Sequence, residues 1–149
     1  MVITIVTVGT KPKPDFAQFI ADYEKRLPRH IRIVWRFLKH GSGDPSHSVE
    51  EESESILSAI AANDSVILLD ETGEIYTSEQ FSRAVYEQGK NITFVIGGAY
   101  GVSQQVFDRA DRSLSFGRMV FPHQLMRLML VEQIYRGYCI SSAHPYHHS

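Results

Sequence analysis

The stretch NITFVIGGAYGV, residues 91–102, carries the reading of the fold. Ile92 to Ile96 is an apolar run broken only by Thr93, without polar alternation, which is the pattern of a strand buried on both faces. It runs straight into Gly97 and Gly98. Such a strand belongs to a parallel sheet covered by helices, and open α/β sheets place their ligands beyond the carboxyl ends of the strands. Gly97-Gly98-Ala99-Tyr100-Gly101 stands at such an end. Glycines let a ligand's polar edge approach bare main-chain N–H and C=O groups. The turn is not a dinucleotide fingerprint: Ile96 occupies the place of the first glycine in G-x-G-x-x-G, no acid stands about 20 residues further on, and no lysine follows as in a phosphate loop. On these residues alone, a plain tight turn and a ligand loop stay equally open.

Outward from this strand, apolar runs alternate with helical periods. Val2 to Val8 is a β-branched run ended by Gly9. Phe16, Phe19, Ile20, Tyr23 and Leu27 follow a 3, 4 and 7 spacing, so they predict an amphipathic helix with Pro14 near its start and Pro28 as its stop. Ile31 to Leu38 predicts a second strand whose outer face carries Arg32 and Arg36, and GSGDPSHS, residues 41–48, reads as a loop. Ser48 with Glu51 is a capping-box signature for a helix through Val49, Ile56, Leu57 and Ile60, with acids crowding its first turn. Ser65 to Leu69 predicts a short strand ending at Asp70, and Thr77 with Gln80 caps a helix through Phe81 and Val85. Ser103 opens a short helix to about Ala110. Leu114 to Phe116 begins a further strand, and a long helix follows Pro122 as far as Ile140. The expectation is one α/β domain over residues 1–149, a three-layer parallel sheet, without internal repeat or second domain.

Composition narrows the function classes. With 43% hydrophobic and 21% charged residues, the 149-residue chain is that of a globular protein and not of a disordered one. No apolar run reaches bilayer length and MVITIVTVGT has no basic leader, so the expected location is the cytoplasm, with no membrane partner. Cys139 is the only cysteine, which excludes an internal disulfide and a CxxC site. The net charge of -2 conceals +5 over residues 1–40, -10 over 41–80 and +3 over 81–149. A phosphate backbone senses the local patch, so a polyanionic partner stays admissible.

Three further motifs could carry chemistry. Gly117-Arg118-Met119-Val120-Phe121-Pro122-His123 lies between a strand end and the long helix, where backbone groups and apolar walls could wrap a small molecule; an ordinary helix start explains it as well. The long helix is apolar around most of its circumference and must be buried on more than one side, in a deep core or against another subunit. Within it Glu132 and Arg136 stand at i, i+4 and suit an ion pair, while Arg127 and Arg136 invite an interface or phosphate role. The tail His144-Pro145-Tyr146-His147-His148 is dense in groups that exchange protons near neutral pH, but it lacks a cysteine or acid at ligand spacing, so no metal is expected.

Together VTVGT (6–10), LLDETG (68–73), FVIGGAYGV (94–102), LSF (114–116), MVFPHQLMRLMLVEQIYRGYCI (119–140) and HPYH (144–147) resemble the bacterial large-subunit (23S) ribosomal RNA pseudouridine-N3 methyltransferases. These are members of the SPOUT superfamily of knotted S-adenosylmethionine-dependent methyltransferases. The resemblance implies a trefoil knot near the C-terminus, a homodimer, and S-adenosyl-L-methionine held at the knot by Leu69, Gly98, Gly117, Arg118, Met119, Val120, Phe121 and Pro122. It implies as substrate N3 of a pseudouridine in ribosomal RNA, in the large subunit or the assembled ribosome. On the substrate side it points to Tyr146 and His147 as catalytic, His147 being the proton acceptor. Arg127, Arg136, His144, Arg26 and Arg29, with Lys25 and Arg32, are the RNA-contacting set. His148-Ser149 departs from the more basic ending of the family. The alternative on the same scaffold is a non-catalytic ribosome- or RNA-binding module, in which the glycine turns are structural.

Overall fold

The computed structural model describes residues 1–148 and divides into two compact units that alternate along the chain. The first takes residues 1–11, 33–75 and 90–118; the second takes 12–32, 76–89 and the chain from 119 onward.

The first unit holds a five-stranded sheet. Its strands are β1 (Val2–Val8), β2 (Arg32–Leu38), β3 (Ser65–Ile75), β4 (Ile92–Ile96) and β5 (Arg112–Ser115), in the order β2-β1-β4-β3-β5. β1 with β4, β4 with β3, and β3 with β5 all pair in parallel. All five residues of β4 are buried, as its unalternated sequence requires, and the Thr93 hydroxyl donates to Asp64 at 2.7 Å. Two helices, α2 (Pro45–Ala59) and α4 (Gln104–Arg109), belong to this unit, and Ile56 and Val106 join Val6, Val8, Val66, Leu68 and Val95 in one core cluster. The α/β class and its parallel strands are therefore as expected.

Three boundaries differ from expectation. The helix predicted to be capped by Ser48 is capped by Asp44 and starts at Pro45, because the Asp44 side chain accepts from the His47 N–H at 2.9 Å and Pro45 sits in the first turn. Asp-Pro was the stronger start signal. Ser48 is then buried inside α2, and no acid occupies the first turn. β3 does not end at Asp70 but runs to Ile75. Leu69 and Glu74 both pair with Leu114, so residues 70–73 form an outward excursion between them. β5 lies at Arg112–Ser115, ahead of the predicted Leu114–Phe116.

The second unit is helical: α1 (Pro14–Arg26), α3 (Ser78–Tyr86) and α5 (His123–Ser141). α3 carries the predicted capping box, Thr77 with Gln80. Gly137 lets α3 close on α5, since a Cβ there would lie 3.3 Å from the Ser82 Cα. The Ser82 hydroxyl donates to the Gly137 carbonyl at 2.6 Å, and Tyr86 donates to that of Ile134 at 2.7 Å. No described helix is long and apolar enough to cross a membrane.

Candidate active site

In the first unit, register alone gathers the site. Leu69 pairs with Ile96 on one side and Leu114 on the other, so the point where β3 breaks for its 70–73 excursion lies beside the carboxyl ends of β4 and β5. Each then departs in a turn with its main chain laid open. After β4, the Gly101 N–H donates to the Gly98 carbonyl at 3.2 Å, and Gly101 has φ +83°, a conformation that other residues adopt only under strain. After β5, the Ser115 hydroxyl donates to the Gly117 carbonyl at 2.7 Å and accepts from its N–H at 3.1 Å, with Gly117 at φ +140°. After Leu69, Asp70 accepts from the N–H and hydroxyl of Thr72. That excursion presses on β5 so closely that a Cβ on Gly73 would lie 2.7 Å from the Leu114 nitrogen. The Arg118 guanidinium donates to the Glu71 carbonyl at 3.4 Å, tying the third turn to the first.

Helix α2 fixes the glycine turn. The Ser53 hydroxyl accepts from the Ser103 N–H at 2.9 Å, and a Cβ on Gly98 would overlap the Glu52 carboxylate. Glu52 itself is buried; its Oε1 accepts from the Gly41 N–H at 2.9 Å and from the Ser48 hydroxyl at 3.4 Å. Sequence spacing held no signal for Glu52, since the contact joins positions far apart in the chain. Four of the expected cofactor residues, Leu69, Gly98, Gly117 and Arg118, thus lie at these strand ends. Met119, Val120, Phe121 and Pro122 belong to the second unit, where they lead into α5; Met119 and Val120 are 73% and 82% exposed.

These features fit the nucleoside and amino-acid parts of S-adenosylmethionine. Bare backbone at Gly98 and Gly117 can read polar edges, while the buried Ser103 hydroxyl, beside the glycine turn, has no hydrogen-bond partner among the described residues. Among those residues no cluster of His, Cys, Asp or Glu could hold a metal ion.

The tail forms a separate cluster in the second unit. The α5 helix closes with Ala143 at φ +54° and the His144 N–H donating to the Cys139 carbonyl at 2.8 Å, a left-handed stop that turns the chain back. Tyr146 then packs edge-on against Tyr135 at 4.8 Å, lies under the Arg136 guanidinium at 4.9 Å, and donates to Glu132 at 3.2 Å. Burial, with Tyr23 and Glu132 beside it, pushes its phenol above the ordinary range, so Tyr146 acts as a donor and stays protonated. His147 lies between Glu79, 2.9 Å from Nε2, and Arg136, 3.4 Å from Nδ1. A guanidinium can only donate, so the contact at Nδ1 is a hydrogen bond in the tautomer whose ring proton sits on Nε2, facing the carboxylate. Glu79 is held down to about 2 by its own backbone N–H, the Thr77 hydroxyl and His147.

The expected RNA set divides into engaged, buried and exposed residues. Arg136 is engaged by Glu132 through two bonds of 2.6 and 2.9 Å, which is the predicted i, i+4 pair. Arg127 is only 2% exposed, and burial lowers its pKa. Arg26 is exposed and stacks over Tyr23 and Tyr135; Arg29, Lys25, Arg32 and His144 are exposed, while Ser149 lies outside the described residues. Glu79 and Glu132 were missed as partners of the tail, because Glu79 and His147 are 68 positions apart and no local spacing links them.

Comparison with known proteins matches this arrangement to a family. Residues 1–147 match the family model described as "Predicted SPOUT methyltransferase". The chain is 36% identical over 156 residues to Ribosomal RNA large subunit methyltransferase H of Christiangramia forsetii. It is 41% identical over 158 residues to Ribosomal RNA large subunit methyltransferase H 1 of Clostridium perfringens, and 40% identical over 158 residues to the methyltransferase H of Carboxydothermus hydrogenoformans. Each match covers 99% of both chains. With parallel strand ends carrying open glycine turns and a family match over nearly its whole length, the chain belongs to the SPOUT methyltransferases, enzymes that take their methyl group from S-adenosylmethionine.

Proposed function

We propose that this enzyme methylates N3 of a pseudouridine in large-subunit ribosomal RNA, on the large subunit or the assembled ribosome in the cytoplasm, working as one SPOUT domain in a homodimer. The observation that carries the reading is the likeness over 99% of both chains to proteins named Ribosomal RNA large subunit methyltransferase H. The half-buried Leu125, Met126, Leu128 and Met129 of α5 support the dimer, since a single chain leaves them incompletely covered. The same reading places a trefoil knot near the C-terminus.

S-Adenosylmethionine supplies an electrophilic methyl on its sulfonium when bound. Leu69, Gly98, Gly117 and Arg118 at the strand ends, with Met119 to Pro122, hold it in this reading. The remaining work falls to the tail. His147 presents Nδ1 as the proton acceptor for the substrate imide, because that nitrogen is held only by the long 3.4 Å contact to Arg136. Nε2–H stays on Glu79, whose carboxylate stabilises the imidazolium that forms. Tyr146 keeps its proton and orients the loop base by hydrogen bonding and stacking. Arg26, Arg29, Lys25 and Arg32 meet phosphate; Arg136 holds the tail before it can meet RNA, and Arg127 and His144 complete the proposed set.

Mass spectrometry of ribosomal RNA from cells with and without this protein tests the reading. Loss of a methylated pseudouridine is expected, and its persistence would overturn the proposed substrate. Calorimetry with S-adenosylmethionine separates the enzyme from a non-catalytic RNA-binding module, which would bind no cofactor.

A further inference from the structure

We infer that Glu52 reads positive charge on the cofactor at the glycine turn. The inference rests on the reading that seats S-adenosylmethionine at Gly98. Its side chain is 5% exposed, and among the described residues no Lys or Arg pairs with it; the nearest cationic candidate is His40, whose Nδ1 lies 3.9 Å from Oε1. A buried carboxylate without a cationic partner is costly, so a positive group brought beside it is favoured. The two oxygens are used differently. Oε1 is anchored by the Gly41 N–H and the Ser48 hydroxyl. Oε2 has no hydrogen-bond donor among the described residues, and it occupies the place that a Cβ on residue 98 would take. Only glycine allows this approach. The anchored oxygen therefore holds its partner at the turn where the ligand's edge passes, and a cation or charged donor is the group that such an oxygen accepts.

S-Adenosylmethionine carries two such groups, the sulfonium and the amino-acid ammonium. S-Adenosylhomocysteine keeps only the ammonium, and methylthioadenosine has neither. Glu52→Gln retains the size of the side chain and its hydrogen-bonding oxygen while removing the charge. In calorimetric titrations of the full-length protein, the variant is expected to bind S-adenosylmethionine about tenfold more weakly, the order of a partly buried charge contact. Methylthioadenosine should move less than about twofold, since no charge is lost from that complex. Weakening of S-adenosylmethionine alone assigns the contact to the sulfonium, and equal weakening of S-adenosylhomocysteine assigns it to the ammonium; either result supports the inference. Equal weakening of all three ligands, or of none, overturns it and leaves Glu52 as a loop support. Failure of the unsubstituted protein to bind S-adenosylmethionine would instead overturn the cofactor reading itself. Should the glutamine variant not fold, Glu52→Asp draws the charge back by one methylene, and the same selective loss is expected in the same three titrations.

Discussion

At the ends of β4 and β5 and the break in β3 the groups on offer are main-chain amides and carbonyls, opened by Gly98 and Gly117 and braced from behind by α2. At the tail they are a phenol, an imidazole, a guanidinium and two carboxylates, linked by bonds of 2.6 to 3.4 Å. The first region suits a ligand whose shape is constant, because backbone cannot be exchanged by mutation and glycine leaves it rigidly accessible. The second suits proton handling, because its groups have tunable affinities and are held by one another rather than by secondary structure. The two should therefore fail in different ways.

The largest expected effect comes from removing the tail. Deleting residues 143–149 should abolish methyl transfer while S-adenosylmethionine affinity stays within about threefold, a change under 1 kcal/mol. Retained transfer would remove His144, Tyr146 and His147 from the mechanism. The converse failure is expected of Gly98→Val, whose side chain would overlap the Glu52 carboxylate: cofactor binding lost in calorimetry, and stability lowered by about 1–3 kcal/mol in denaturant melts. Substituting His147→Ala should slow single-turnover transfer by about 10²–10⁴-fold, the range for a positioned general base, with cofactor binding unchanged.

Smaller effects resolve the tail cluster itself. In Glu79→Gln the imidazole keeps a neighbour but loses the counter-charge for the imidazolium that forms, so single-turnover transfer should slow, by less than in His147→Ala. The same variant tests stability. Glu79 titrates near 2 when folded instead of the ordinary 4.5, so its contribution is fully present above about 4.5 and is lost as pH falls through about 2. Melting temperatures of the two proteins should differ at pH 5 and converge towards pH 2. The smallest change expected is Ala143→Gly, which relieves the left-handed residue that ends α5 and should stabilise by about 0.5–1 kcal/mol.

Much of this was legible in the chain, for reasons visible at particular positions. The capping box of Thr77 and Gln80, the Glu132–Arg136 pair and the apolar run of β4 all depend on neighbours within four residues. The capping box read at Ser48 failed because two local signals competed, and Asp44-Pro45 satisfied the helix start four residues earlier. The extension of β3 to Ile75 was hidden because an excursion of four residues conceals the point where pairing with β5 resumes. Four of the cofactor residues expected from the family resemblance fall at adjacent strand ends. The partners Glu52 and Glu79 were invisible, each serving a residue tens of positions away.

Sequence alone determined the α/β class, the order of its helices and strands, the glycine turn and the reactive tail, because periodicity, capping and backbone freedom are local properties. Only the tertiary structure decided that Glu52 stands against Gly98, that residues 70–73 bulge over β5, and that His147 lies between Glu79 and Arg136. Those are contacts between distant parts of the chain, and their geometry is set by packing and strand register, which no single segment encodes.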